Sequence, residues 1–218
     1  FVFQQFRAPD PMLPFEIWKY RMILVANLAS LLAGMIIIGV SSYLPAFVQG
    51  VMGHSATVAG FAMTAMSIGW PIASTAAGRL LLVIGYRSTC MIGGGSLILG
   101  GTLFMMLSPE KGPLWAAFAS FFIGIGMGLT STSFIVAIQS SVGWEIRGIA
   151  TAANMFMRSL GSALGAALLG GLLNKGILSH IENEGWGNVL TVDSANLLLD
   201  PNRSLSLPEQ AIVVLQEG

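Results

Sequence analysis

Long apolar stretches separated by short polar connections make up most of this chain. The run from residue 22 to residue 78 contains no Asp, Glu, Lys or Arg. A membrane-spanning helix needs about 20 mainly apolar residues, so this run is long enough for two spans. The stretch QGVMGHSAT at residues 49–57 divides it. The same pattern predicts five spans, at residues 22–47, 58–78, 88–107, 114–142 and 149–173.

The predicted fold class is therefore all-α, a polytopic membrane bundle of five transmembrane helices. Residues 1–21 are predicted to be a connector, and residues 174–218 a polar segment on the opposite side. With alternating spans, most basic residues of the connections fall on one side, and Lys111 alone among the short loops falls on the other. The positive-inside rule makes the first side cytoplasmic. Its basic residues are Arg7, Lys19, Arg21, Arg79, Arg87 and Arg147.

Composition supports the membrane class. The chain is 54% hydrophobic and 9% charged, whereas soluble domains carry about 25% charged residues. So few charges do not cover a water-facing surface, and the lipid bilayer is the expected partner. Ten basic residues balance ten acidic ones, so no nucleic-acid partner is predicted.

Small or polar residues recur along one face of four of the five predicted spans. Such a face either packs helices closely together or lines a polar cavity shared by several helices. Large polar groups need partners or water inside a membrane, and they favour the cavity. The candidate residues of a cavity or substrate pathway are Asn27, Ser30, Ser41, Gln139, Asn154 and Arg158.

Arg158 is the only charged residue inside a long apolar segment. It follows the turn that contains Arg147 by about ten residues, so it lies roughly 15 Å along a helix. This depth is about half of a hydrocarbon core of about 30 Å. One hypothesis gives Arg158 a role in substrate passage, gating or charge balance. The alternatives are snorkelling toward the cytoplasmic headgroups and hydrogen bonds to helix carbonyls.

No acidic residue lies inside a predicted span. Proton-driven carriers generally place a carboxylate within the membrane, so if this protein is proton-coupled, its proton-binding site is expected outside this chain. Metalloprotease-type HExxH motifs and aspartate pairs are missing from the spans, and the serines have no adjacent base. The sequence therefore predicts no enzyme activity, catalytic residue, metal site or cofactor.

Two stretches resemble a known family. Residues 43–87 look like the first helical hairpin in the C-terminal half of major facilitator transporters, and most of all the fourteen-span drug:proton antiporters of the EmrB/QacA type. Residues 139–171 are similar to the fourth and fifth helices of that half, with the runs QSSV, RGIATA and RSLGSALG. The connector DPMLPFEIWKYR at residues 10–21 resembles the cytoplasmic segment that precedes it.

The turn at residues 78–87 resembles the second copy of the family's cytoplasmic loop motif, which has a glycine, an acid–base pair, a second glycine and basic residues. Leu82 stands where the first-half copy has its aspartate, and Tyr86 stands where it has a basic residue. The resemblance implies a set of cytoplasmic gating-loop candidates, which are Gly78, Arg79, Gly85, Arg87 and Arg147.

The resemblance also implies the first five helices of the second six-helix bundle, with a final helix expected after Gly218. Spans one and four would line the central cavity, with spans two and five beside it. The implied function is secondary active, proton-coupled multidrug export by alternating access in the bacterial cytoplasmic membrane. Its partners would be protons, a small lipophilic or cationic substrate and a missing N-terminal bundle. The alternatives are a major facilitator transporter of a specific metabolite and a non-transporting membrane scaffold or assembly subunit.

Overall fold

The computed structural model describes residues 18–183, with side chains up to residue 176. The predictions for residues 1–17 and 184–218 lie outside the described residues. Within the described range the chain is helical and contains no β-strand, which confirms the predicted all-α membrane fold. The helices are α1 (Arg21–Ala46, continued by a π-helical turn at Phe47–Val51), α2 (Ala56–Met105), α3 (Gly112–Ser141) and α4 (Arg147–Asn183). Each is long and apolar enough to cross a membrane.

Gly85 divides α2 into two segments, residues 56–84 (α2a) and 86–105 (α2b), because its backbone is not helical (φ 76°, ψ 168°). Contacts with α3 give the direction of each segment. In order along α2 they are Gly69 with Phe121, Ser74 with Thr132, Gly93 with Thr130, and Leu103 with Trp115. The number of the contacted α3 residue increases along α2a and decreases along α2b. The chain therefore reverses at Gly85, and the described residues form five apolar helical segments of alternating direction.

Close backbone contact joins α1 to α4, and α3 to both α2a and α2b. In the α1–α4 pair, a Cβ atom on Gly161 would collide with the carbonyl oxygen of Leu31, and one on Gly34 with the carbonyl oxygen of Arg158. In the α2a–α3 pair, a Cβ on Gly124 would meet the carbonyl oxygen of Met66. Only glycine permits such approaches, which is how small residues associate helices within a membrane.

Two buried apolar clusters mark the ends of the bundle. Ile23, Val142 and Ala150 pack together at one end, and Leu44 packs with Ala116 at the other. The helix directions bring most of the described basic residues to the first end, which we call the basic end. They are Lys19, Arg21, Arg79, Arg87 and Arg147, while Lys111 and Lys175 lie at the opposite end. The assignment of the basic end to the cytoplasm stays a prediction.

Substitution of Gly85 by alanine is expected to destabilise the bundle. A side chain at φ 76° and ψ 168° is held in a region that costs of order 1–3 kcal/mol for residues other than glycine. The melting temperature of the purified protein in detergent should therefore fall. Gly95→Ala is the matched control, because a Cβ at this helical position meets nothing within 4 Å. Equal melting temperatures for the two variants would contradict the reversal at Gly85.

Candidate functional site

Three of the predicted pathway residues meet in the interface between α1 and α4. Asn27 is 0% exposed, and Ser30 and Asn154 are each 4% exposed. The side-chain amide nitrogen of Asn154 lies 2.8 Å from the Ser30 hydroxyl oxygen, 3.1 Å from the Asn27 side-chain oxygen and 3.2 Å from the carbonyl oxygen of Ala26. An amide nitrogen has two hydrogens, so the three acceptors share them. We call Asn27, Ser30 and Asn154 the asparagine cluster.

The asparagine cluster is closed to the surface of the bundle. Its hydrogen bonds run from α4 to α1, so they fix the register of the tightly packed pair. One donor remains, because the side-chain nitrogen of Asn27 has no hydrogen-bond partner among the described residues. A buried, unpaired donor costs about 1–3 kcal/mol. The cluster therefore joins α1 to α4 in this arrangement, and a part in the substrate pathway stays a prediction.

Arg158 lies one turn beyond the asparagine cluster on α4 and is partly buried. One of its terminal nitrogens donates to the hydroxyl oxygen of Ser131 on α3, at 3.3 Å. Its other nitrogens have no hydrogen-bond or ion-pair partner among the described residues. Between residues 18 and 176 the acidic residues are Glu110 and Glu145, and both lie in turns at the ends of helices. Arg158 is therefore a membrane-embedded charge without a counter-ion in the described part of the chain.

A cavity of about 600 Å³ opens at the basic end, between the end of α3 and the start of α4. We call it the basic-end cavity. Within it the side-chain nitrogen of Gln139 lies 3.4 Å from the hydroxyl oxygen of Thr151, and the guanidinium of Arg147 lies 5.5 Å from the Trp144 ring centre. The Trp144 side chain is 82% exposed. The lining residues are Gln139, Trp144, Arg147, Gly148, Thr151, Ala152 and Met155.

The structure thus brings together two residues that the sequence assigned to different groups. Gln139 is a pathway candidate and Arg147 is a gating-loop candidate, and both line the basic-end cavity. The sequence did not single out Trp144 as a site residue, although it stands directly in the turn between the two helices. Its aromatic side chain beside an arginine was the available signal.

The other candidates do not line this cavity. Ser41 lies in the opposite half of α1, where its hydroxyl donates to the carbonyl oxygen of Ile38 at 3.4 Å. The remaining gating-loop candidates, Gly78, Arg79, Gly85 and Arg87, surround the reversal of α2. Leu82 lies between Arg79 and Arg87 in the sequence, and its side chain is 89% exposed. An exposed apolar side chain therefore stands between two positive charges at the basic end.

A second cavity, of about 730 Å³, lies toward the opposite end, between α1, α2b and α4. Its wall is apolar except for Tyr43. Such a wall accepts hydrocarbon surface from a lipid, a lipophilic ligand or another helix, and it offers little for polar recognition. The candidates predicted from the sequence were polar residues, gating-loop glycines and arginines, and none of them lines this cavity. Three glycines on its wall, Gly39, Gly101 and Gly165, were the available signal.

Comparisons with known proteins agree on one family. The family model described as Major Facilitator Superfamily matches residues 3–166. Multidrug transporter protein MdtP of Bacillus subtilis is 31% identical over 176 residues, which is 80% of this chain and 32% of that protein. Multidrug resistance protein 3 of the same organism is 30% identical over 75% of this chain and 32% of its own length. The tetracycline resistance determinant of Streptomyces rimosus is 26% identical over 75% of this chain and 47% of its own length.

Proposed function

This chain belongs to the Major Facilitator Superfamily, and on that premise we propose that it is part of a secondary multidrug exporter. Family membership and the apolar helices make it an integral, multi-pass membrane protein. The chain spans about a third of the length of the two Bacillus relatives, at 32% of each. The proposal therefore concerns the activity of a whole transporter to which this chain contributes five helical segments.

The observation that carries the proposal is the similarity to the two Bacillus proteins. Both are named for multidrug transport or resistance, and each aligns with at least three quarters of this chain at about 30% identity. The described residues are compatible with a broad-specificity transporter, because apolar and polar cavities lie at opposite ends of one bundle. An adaptable apolar wall with few polar groups suits lipophilic ligands.

Alternating access is the proposed mechanism. In transporters built from repeated bundles, one bundle rocks against the other around a central site. The tight α1–α4 and α2a–α3 pairs support such motion, because backbones in direct contact do not slide past one another independently. The basic end would face the cytoplasm of a bacterium, in its inner membrane.

Proton coupling is proposed for the whole transporter. Between residues 18 and 176 the carboxylates are Glu110 and Glu145, both in turns at the ends of helices, so the described apolar segments contain Arg158 but no carboxylate. Because a coupling proton needs a titratable group within the membrane, we place that group in the part of the transporter outside this chain.

Expression of the whole protein in a drug-sensitive bacterium is expected to protect the cells against lipophilic drugs and to lower their steady-state content of a fluorescent drug. A protonophore should abolish both effects, since it removes the proposed driving force. Cells with an empty vector are the control. If the cells stay protected in the presence of the protonophore at constant ATP, proton coupling is contradicted but drug export is not. A change in uptake of one metabolite with no drug phenotype would favour the metabolite transporter, and no effect on any probe would favour the scaffold.

A further inference from the structure

We infer that the α3–α4 boundary, from the basic-end cavity inward to Arg158, binds the negatively charged group of an amphipathic organic anion. The inference rests on the proposed export function and deepens it, because it names the charge class of substrate that this part of the transporter selects. It differs from the small lipophilic or cationic substrate that the sequence led us to expect.

The charged side chains that line the basic-end cavity or lie deeper between α3 and α4 are both arginines. Arg147 lies at the mouth of the basic-end cavity and Arg158 lies deeper. Glu145 is exposed in the preceding turn, does not line the cavity and forms no ion pair with Arg147. Glu110 is at the opposite end of the bundle. Since charges interact strongly where water is scarce, an organic cation is repelled along this boundary and an anion is attracted.

Both arginines have unused hydrogen-bonding capacity. A guanidinium carries five N–H donors in a planar fork that matches a carboxylate. Arg158 makes a single bond of 3.3 Å to Ser131. Arg147 donates from its Nε to the carbonyl oxygen of Val142 at 3.4 Å, and its terminal nitrogens have no hydrogen-bond partner among the described residues. Each arginine can therefore donate two parallel hydrogen bonds to an anionic group.

The helix geometry connects the two arginines. Thr151 and Met155 line the inner wall of the basic-end cavity, and Arg158 is three residues beyond Met155, a step that stays on the same face of a helix. On α3, Ser131 is about two turns deeper than Gln139. Arg158 therefore lies on the cavity-lining face of α4, about one helical turn deeper than Met155, and the inferred ligand route runs inward along this face.

The same boundary offers apolar surface for the body of the ligand. The exposed ring of Trp144 and the side chain of Met155 line the basic-end cavity beside Arg147. A volume of about 600 Å³ lies within the usual range of about 300–1,000 Å³ for small-molecule sites. An aromatic body with a carboxylate fits this combination of flat apolar surface and guanidinium groups.

Binding of two fluorescent probes to the purified whole protein tests the inference. Carboxyfluorescein is the anionic probe and ethidium is the cationic probe, each followed by fluorescence anisotropy. Arg158→Gln is expected to weaken carboxyfluorescein binding about tenfold or more, because a desolvated charge-assisted contact is lost. Ethidium binding should stay equal or become tighter. Arg21→Gln is the matched control, since it removes an exposed arginine at the same end and should leave both affinities unchanged.

Arg158→Lys provides a second variant that keeps the charge but loses the planar fork. It is expected to bind carboxyfluorescein more weakly than the native protein while still disfavouring ethidium. The inference would be overturned if the native protein bound ethidium but not carboxyfluorescein. It would also be overturned if Arg158→Gln kept the native affinity for carboxyfluorescein, or lost affinity for both probes equally. Efflux of the two probes from cells separates this inference from the proposed export function. If carboxyfluorescein binds through Arg158 but neither probe is exported, only the export function is contradicted. If ethidium is exported but probe binding does not depend on Arg158, only this inference is contradicted.

Discussion

A valine in place of Gly161 is expected to force α4 away from α1 and to destabilise the bundle by about 3 kcal/mol, the upper end of the typical cost of overpacking. The Cβ atom would collide with the carbonyl oxygen of Leu31, and it would also approach the Leu31 carbonyl carbon to 2.7 Å and its Cα to 2.9 Å. These are backbone atoms of a helix, so no change of rotamer relieves the collision. The two helices must separate, and the asparagine cluster one to two turns away then loses its geometry.

Thermal unfolding of the purified protein in detergent measures this effect. Gly171→Val is the matched control, because it places the same side chain on the same helix where a Cβ meets nothing within 4 Å. Gly161→Val should melt well below both the control and the native protein. If it does not accumulate, Gly161→Ala should show a smaller decrease, compared with Gly171→Ala. Equal stability of the paired variants would mean that α1 and α4 do not pack as described.

The sequence predicted the small-residue faces but not their partners. The spacing of Gly34 on α1 and of Gly161 and Gly165 on α4 was sufficient to place each set on one face. Similar faces occur on four predicted spans, so periodicity within one helix did not decide which two faces meet. The structure pairs α1 with α4 and α2a with α3. This choice depends on complementary surfaces of separate helices, which a single-sequence pattern does not encode.

The reversal at residues 78–87 shows a different limit. The charges of Arg79 and Arg87 placed the end of the second span at residue 78, but the helix continues to residue 84. Segment α2a has a length of about 43 Å at 1.5 Å per residue, and the hydrocarbon core is only about 30 Å thick. A helix that continues into the headgroup region carries charges before it ends, so the change in polarity precedes the end of the helix.

The sequence predicted the residues of the candidate site but not how they are arranged. The sequence identified Gln139, Asn154 and Arg158 because large polar groups are rare in apolar helices. It grouped them as candidates for one cavity or substrate pathway, whereas the structure buries Asn154 against α1 and places the partly buried Gln139 on the wall of the basic-end cavity. Rotation of each helix about its axis decides which of these environments a residue occupies, and that rotation is fixed by packing with neighbouring helices.

Substitution of Asn154 by leucine is the second change with a large expected effect. It removes the donor shared by Ala26, Asn27 and Ser30 and leaves their oxygens without that partner in a buried interface. Unsatisfied buried groups cost about 1–3 kcal/mol, and single hydrogen bonds between membrane helices contribute about 0.6–2 kcal/mol. A clear decrease in melting temperature is expected. Ser159→Leu, on an exposed position of the same helix, is the control and should be close to neutral.

The same variant decides between the two readings of the asparagine cluster. If the cluster joins α1 to α4, Asn154→Leu lowers stability, and the combination with Asn27→Leu lowers it by less than the sum of the single effects, because the two residues share one hydrogen bond. If the cluster instead belongs to the substrate pathway, the variant keeps its melting temperature and loses drug export. The two measurements on one protein separate the outcomes, since a structural link acts on unfolding and a pathway residue acts on transport.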